Sequence, residues 1–211
     1  AGGFYSGSYG ITINTVPPSR RGLSSAVVTA GMAAGSSLGL IISALLFGLT
    51  DNWRVPYLVM FGPTIVVAAI LFLTLHSSPR SPTTGEGLWK LARHRDFLAL
   101  CVVHFFALYA PMTVIIWGPS YLVDHLNITV GQAGLYIAFT TGISLFGALT
   151  WGRLSDKIGR KWLTIGMFAT GAVMVSLLPM AESTHALLLT LGVFGLVTGF
   201  AWNPILVAWV G

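Results

Sequence analysis

WGRLSDKIGRKW, residues 151–162, carries five charged side chains in a 211-residue chain that is only 8% charged and 55% hydrophobic. Soluble domains are about a quarter charged, so the composition is that of a membrane protein and this cluster of charge needs a reason. Apolar sequence runs away from it on both sides. About 20 apolar residues in helix cross a hydrocarbon core about 30 Å thick, and such runs occur at 1–16, 23–50, 55–75, 97–118, 130–151, 162–181 and 185–210. The fold class expected is therefore an all-α polytopic bundle of seven transmembrane helices, with 152–161 as the polar loop between the fifth and sixth spans.

The placement of charge orients these spans. Arg20 and Arg21 precede the second span, Arg80, Lys90, Arg93 and Arg95 lie between the third and fourth, and Arg153, Lys157, Arg160 and Lys161 follow the fifth; of eleven basic residues only Arg54 falls in the alternate links. Cytoplasmic loops are enriched in Lys and Arg, so loops 17–22, 76–96 and 152–161 are expected on the cytoplasmic side of the plasma (inner) membrane. A nucleic-acid partner is not expected, because a basic face for it would need a contiguous soluble surface. No basic stretch followed by a short apolar core opens the chain, so no signal peptide is read. Residue 1 is not Met and both ends fall in apolar sequence, so the chain reads as a piece of something longer. Cys101 is a single cysteine and forms no internal disulfide.

The longest polar segment, 76–96, joins a Pro/Ser/Thr/Gly linker to a short run in which Leu88, Trp89 and Leu91 alternate with Lys90, Arg93 and Arg95. That pattern predicts an interfacial helix lying on anionic lipid. Small residues recur at helical spacing elsewhere. Gly31, Gly35 and Gly39 form one row in the second span, Gly134, Ala138 and Gly142 another in the fifth, and Gly195 and Gly199 a third in the seventh. In lipid such rows mark close helix contacts, so the first is expected to pack near Gly142, Ser144 or Ala148.

Within the opening stretch, Gly152, Leu154, Ser155, Asp156, Lys157, Gly159, Arg160 and Lys161 fit the pattern G-x-L-x-D-[RK]-x-G-R-[RK]. This resembles the signature loop of the major facilitator superfamily, which occurs on the cytoplasmic side after the second of twelve spans and often again after the eighth. Five spans precede it here and the long linker lies two spans earlier, so the seven spans resemble spans four to ten. The resemblance implies that 1–75 are the last three spans of the N-terminal six-helix bundle, 76–96 the linker, and 97–211 the first four spans of the C-terminal bundle. PPSRRG at 17–22 and WGPSYL at 117–122 resemble the loop entering the family's fifth span and the outer end of the seventh in organic-anion branches.

Two departures narrow the reading. At Gly35, Ser36, Ser37, Leu38, Gly39 and Leu40 the G-P-x-x-G-G element of proton-coupled antiporters lacks its proline and last glycine, which disfavours a drug/proton antiporter. No arginine lies between Cys101 and Ile116, which counts against phosphate esters. The resemblance implies a secondary transporter, a symporter or uniporter, for a small polar organic solute such as an organic anion or sugar acid, with a coupling proton or sodium ion and as a monomer in the bilayer. By the same resemblance, the first, fourth and seventh spans line a central cavity, with Tyr5, Tyr9, Asn14, His104, Tyr109, Trp202 and Asn203 as candidate substrate contacts.

Other chemistries are weakly supported. Cys101 and His104 share a helix face, but two ligands without a third make no zinc site, and no cofactor is expected. GMAAGSS lacks the lysine of a phosphate loop. No Ser/His/Asp set points to an enzyme. Asn127, Ile128 and Thr129 spell a glycosylation sequon. The alternative reading is a seven-span receptor or retinal protein, yet Lys90, Lys157 and Lys161 all lie in loops, where no Schiff base could form within a span.

Overall fold

The computed structural model describes residues 16–17, 21–74, 93, 95–181 and 183–205. Among the described residues six α-helices follow one another: α1 (Arg21–Thr50), α2 (Arg54–Thr74), α3 (Arg95–Leu126), α4 (Val130–Ile158), α5 (Arg160–Leu177) and α6 (Thr184–Val197), with a 3-10 turn at Leu178–Met180. Five of these described helices are long and apolar enough to cross a membrane. Only helices and closed barrels satisfy every backbone group inside lipid, and apolar residues all round each helix leave helix as the solution here. The expected first span lies outside the described residues except for residue 16, as does nearly all of 76–96.

Antiparallel hairpins set the layout. The link 51–53 turns α1 into α2, and 127–129 turns α3 into α4, where a capping box closes the start of α4. The Gln132 backbone N–H donates to Thr129 Oγ1 at 3.2 Å and the Thr129 N–H donates to Gln132 Oε1 at 3.1 Å, pairing two donors that a helix start would leave open. The sequon threonine is thus the cap of α4. Since α1 also runs antiparallel to α4, the start of α1, the end of α2, the start of α3 and the end of α4 share one end of the bundle, as the basic loops predicted.

Several hydroxyl groups are kept in this apolar setting by bonding back to their own helix. Thr140 donates to the Tyr136 carbonyl at 3.0 Å, Ser144 to that of Thr141 at 2.6 Å, and Ser155 to that of Gly152 at 2.8 Å. Two apolar clusters form the core. One joins α3, α4 and α6 through Val114, Leu122, Ile137, Leu191 and Phe194. The other joins α3, α5 and the segment after α6 through Ala107, Met167, Trp202 and Ile205.

Two expectations from sequence are corrected. The loop 152–161 is not a loop: α4 runs on to Ile158 and α5 begins at Arg160, so Gly159 alone separates them. Its φ of +98° and ψ of 136° suit glycine, because a Cβ is strained in that region. The charged side chains therefore ride on two helix ends. The seventh span is also not a continuous helix over 185–210. α6 stops at Val197 after 14 residues, about 21 Å of rise and short of the roughly 30 Å core, so the chain unwinds inside the membrane. Pro204 has no N–H and its ring excludes the carbonyl four residues back.

Irregular backbone at that depth survives only when protein covers it, and 198–202 are all buried, as is the helical turn 203–205 that follows. The freed carbonyls find donors. The N–H groups of Thr198 and Gly199 both reach the Phe194 oxygen, at 2.7 and 3.2 Å, and the Trp151 indole N–H donates to the Leu196 oxygen at 2.9 Å.

Candidate functional site

The seam between α1 and α4 is built from small residues. Ser37 donates from Oγ to the Ala138 carbonyl at 2.8 Å across the two helices. A Cβ placed on Gly142 would stand 2.9 Å from that Oγ, and one on Gly134 would stand 3.1 Å from the Ala44 Cβ. Ser25, Thr29, Ala33 and Ser37 are buried at helical spacing along this face. The expected contact partner Gly142 therefore lies on the seam, but Gly31, Gly35 and Gly39 do not. Nothing described comes within 4 Å of a Cβ built at any of the three. A row of small residues permits close approach without choosing it, and the neighbouring row adds hydroxyls that can bond a facing carbonyl. Sequence reasoning passed over Ser37, whose signal was its place in the Ser25–Thr29–Ala33 row.

The seam's register carries the motif to a defined place. From Ser37 back to Arg21, and from Thr140, midway between Ala138 and Gly142, on to Asp156, each helix advances sixteen residues. At 1.5 Å per residue the position of Asp156 is level with the first residue of α1. A helix start leaves unpaired N–H groups and a partial positive charge. Nearby, Ser25 is fully buried and its hydroxyl has no partner, alone in this among the described residues.

The rest of the motif sorts by exposure. Gly152 and Ser155 are buried, Leu154 is half-buried, and Arg153, Lys157 and Lys161 are exposed. Lys161 Nζ lies 5.9 Å from the centre of the exposed Trp162 ring, as suits a cation and an aromatic at a headgroup boundary. Arg160 opens α5, and its backbone carbonyl accepts the Thr164 hydroxyl at 2.8 Å.

The candidate cavity residues divide. Tyr5, Tyr9 and Asn14 lie outside the described residues. His104 of α3 meets Trp202 edge to face, with ring centres 5.0 Å apart, and Phe168 of α5 stands 6.3 Å from the same indole. Trp202 is 1% exposed and donates to the Gly199 carbonyl at 3.1 Å, while Asn203 is 5% exposed. His104 and Trp202 thus meet at the break that follows α6, and Asn203, next to Trp202 in the chain, opens the helical turn 203–205 beyond it. Tyr109 is apart from them. Five residues along α3 is about 140° round the helix, and Tyr109, 67% exposed, lines a groove of about 360 Å³ with Phe105, Met112, Thr113 and Trp117. Among the described residues no three metal-ligating side chains cluster.

Comparison with known proteins identifies the family. The model of the Major Facilitator Superfamily matches residues 1–210. The chain is 27% identical over 157 residues to an MFS-type efflux pump of Mycolicibacterium smegmatis, covering 69% of this chain and 36% of that protein. It is 26% identical over 191 residues to a cis,cis-muconate transport protein of Acinetobacter baylyi, covering 82% and 46%. With a fosmidomycin resistance protein of Escherichia coli it shares 25% identity over 196 residues, 89% of this chain and 48% of that one. The chain thus spans less than half the length of these curated relatives. No solved structure matches it. Apolar helices, the motif at a one-residue helix junction and a family model matched almost end to end lead to one conclusion: this multi-pass membrane chain belongs to the major facilitator superfamily.

Proposed function

We propose that the chain is part of a secondary transporter that moves a small polar organic solute by alternating access, as a symporter or uniporter coupled, where it is coupled, to a proton or sodium ion. In this reading 1–75 close the N-terminal bundle, 76–96 link the halves, and 97–211 open the C-terminal bundle. The two halves rock about the α1–α4 seam, and the chemistry is non-covalent throughout. The observation that carries the reading is the register of that seam, which sets the family motif level with the start of α1. An acid at a helix start in the opposite half is a contact that forms when one face closes and breaks when it opens. One relative is named for an organic anion, which supports that substrate class. Full-length protein in liposomes, assayed for uptake and efflux of labelled organic anions, sugar acids and polyols, tests it. No movement of any of them in either direction refutes the reading.

Two expected results follow. Residues 17–22, 76–96 and 152–161 are assigned to the cytoplasmic side of the inner membrane. In a Cys101→Ser background, single cysteines at positions 84 and 157 should resist a membrane-impermeant thiol reagent added outside intact cells. Labelling of both from outside would invert the topology.

We keep His104, whose ring rests on Trp202, as a candidate residue of the substrate path. His104→Ala removes a ring contact worth about 0.5–1.5 kcal/mol and should alter apparent substrate affinity or its pH dependence, with His104→Phe restoring only the packing part. Unchanged KM in His104→Ala would leave the imidazole a packing group.

A further inference from the structure

We propose that the crevice between α1, α2 and α4, at the bundle end that carries the 51–53 link, binds one acyl chain of a phospholipid, with Arg54 holding its phosphate. The crevice has a volume of about 530 Å³, within the roughly 300–1,000 Å³ of small-molecule sites. Leu40 and Phe47 of α1, Pro56 and Met60 of α2 and Gly131 and Gly134 of α4 are among its walls, and no charged side chain lines it. Its occupant is therefore apolar over most of its length.

Depth identifies the occupant further. The crevice begins at Trp53, beside the helix link, and descends α1 to Leu40, ten residues below Thr50. That is about 15 Å, half of a hydrocarbon core of about 30 Å and so the reach of one leaflet. A solute arriving from water would need polar groups at the bottom; a lipid chain needs none. The mouth suits a headgroup. Trp53 and Tyr57 stand edge to face with centres 6.2 Å apart, as aromatic residues do at a membrane boundary. The Arg54 guanidinium lies 5.3 Å over the Trp53 ring, and its backbone N–H donates to Asn52 Oδ1 at 3.0 Å.

Arg54 is the one Lys or Arg among the described residues at this end of the bundle, where Asp51 and Asp124 are also exposed. An anionic group is therefore welcome beside Arg54 and little elsewhere on this end. The crevice also borders the seam, since a Cβ on Gly131 would stand 3.6 Å from the Ala44 carbonyl oxygen. A chain lodged there would press on the contact about which the halves are proposed to rock. That consequence rests on the transport reading, whereas the binding does not.

Native mass spectrometry of the full-length protein, titrated with dioleoyl phosphatidylglycerol, dioleoyl phosphatidylethanolamine and free oleate, tests the binding without any transport assay. One phospholipid should be retained above the background of weak adducts. Ser43→Phe, which fills the crevice from α1, should abolish that retention, and Met60→Trp should do so from α2 where the first variant folds poorly. Arg54→Gln should reduce it about fivefold, the factor expected of one basic residue at a lipid surface. Equal retention in wild type and both filled variants overturns the site. Oleate held as tightly as phospholipid, with Arg54→Gln indifferent, overturns the phosphate contact. A dimer mass lost in the filled variants would show that a second copy, not lipid, occupies the crevice.

Discussion

Gly147→Ala and Gly195→Ala are each expected to cost several-fold in folded yield and to lower the unfolding temperature in detergent, more than any other single methyl added to the described bundle. A Cβ on Gly147 falls on the Leu196 carbonyl oxygen and stands 2.9 Å from the Ala201 Cβ; one on Gly195 falls on the Thr140 carbonyl oxygen. Both obstacles are helix backbone, which cannot rotate away as a side chain can. The two helices must separate, and overpacking of this kind costs about 1–3 kcal/mol or more. In Gly147→Ala the separation would also pull the Leu196 carbonyl from the Trp151 indole, exposing an unpaired carbonyl at the break in the seventh span. Gly35→Ala is the control. It meets no described atom and gains about 0.5–1 kcal/mol of helix propensity, so its melting temperature should hold or rise. A neutral Gly147→Ala beside a damaging Gly35→Ala would reverse the assignment of the packed faces.

Asp156→Asn is expected to slow turnover by up to about 30-fold while changing substrate affinity far less. A carboxylate at a helix start is worth about 0.3–1 kcal/mol when exposed and up to about 2 kcal/mol when partly buried, a bias that shifts a near-balanced equilibrium without locking it. The amide keeps the size and loses the charge. The population should move toward the state in which the ends of α1 and α4 are apart, so distances between spin labels on those ends should lengthen in the variant. Normal turnover with unchanged distances would make 151–162 an ordinary pair of basic helix ends. Gly159 supplies a second handle, since any side chain at its positive φ costs about 1–3 kcal/mol and would disturb the angle at which α5 leaves the motif.

What sequence alone determined was everything set by solvent. Length and apolarity of the runs marked the helices, because lipid offers the backbone no other partner. The basic residues separated the two ends of the bundle, and the spacing of Gly152, Asp156, Gly159 and Arg160 resembled the family to which the chain belongs. The tertiary structure decided what depends on a neighbour. Gly31, Gly35 and Gly39 and the row Ser25, Thr29, Ala33 and Ser37 are both small enough to face α4, and only the second has a hydroxyl placed to bond the Ala138 carbonyl. Local composition could not foresee that α4 continues to Ile158, nor that α6 breaks at Val197. Unwinding inside a membrane is stable only where side chains distant in sequence, Trp151 for one, meet the carbonyls it frees.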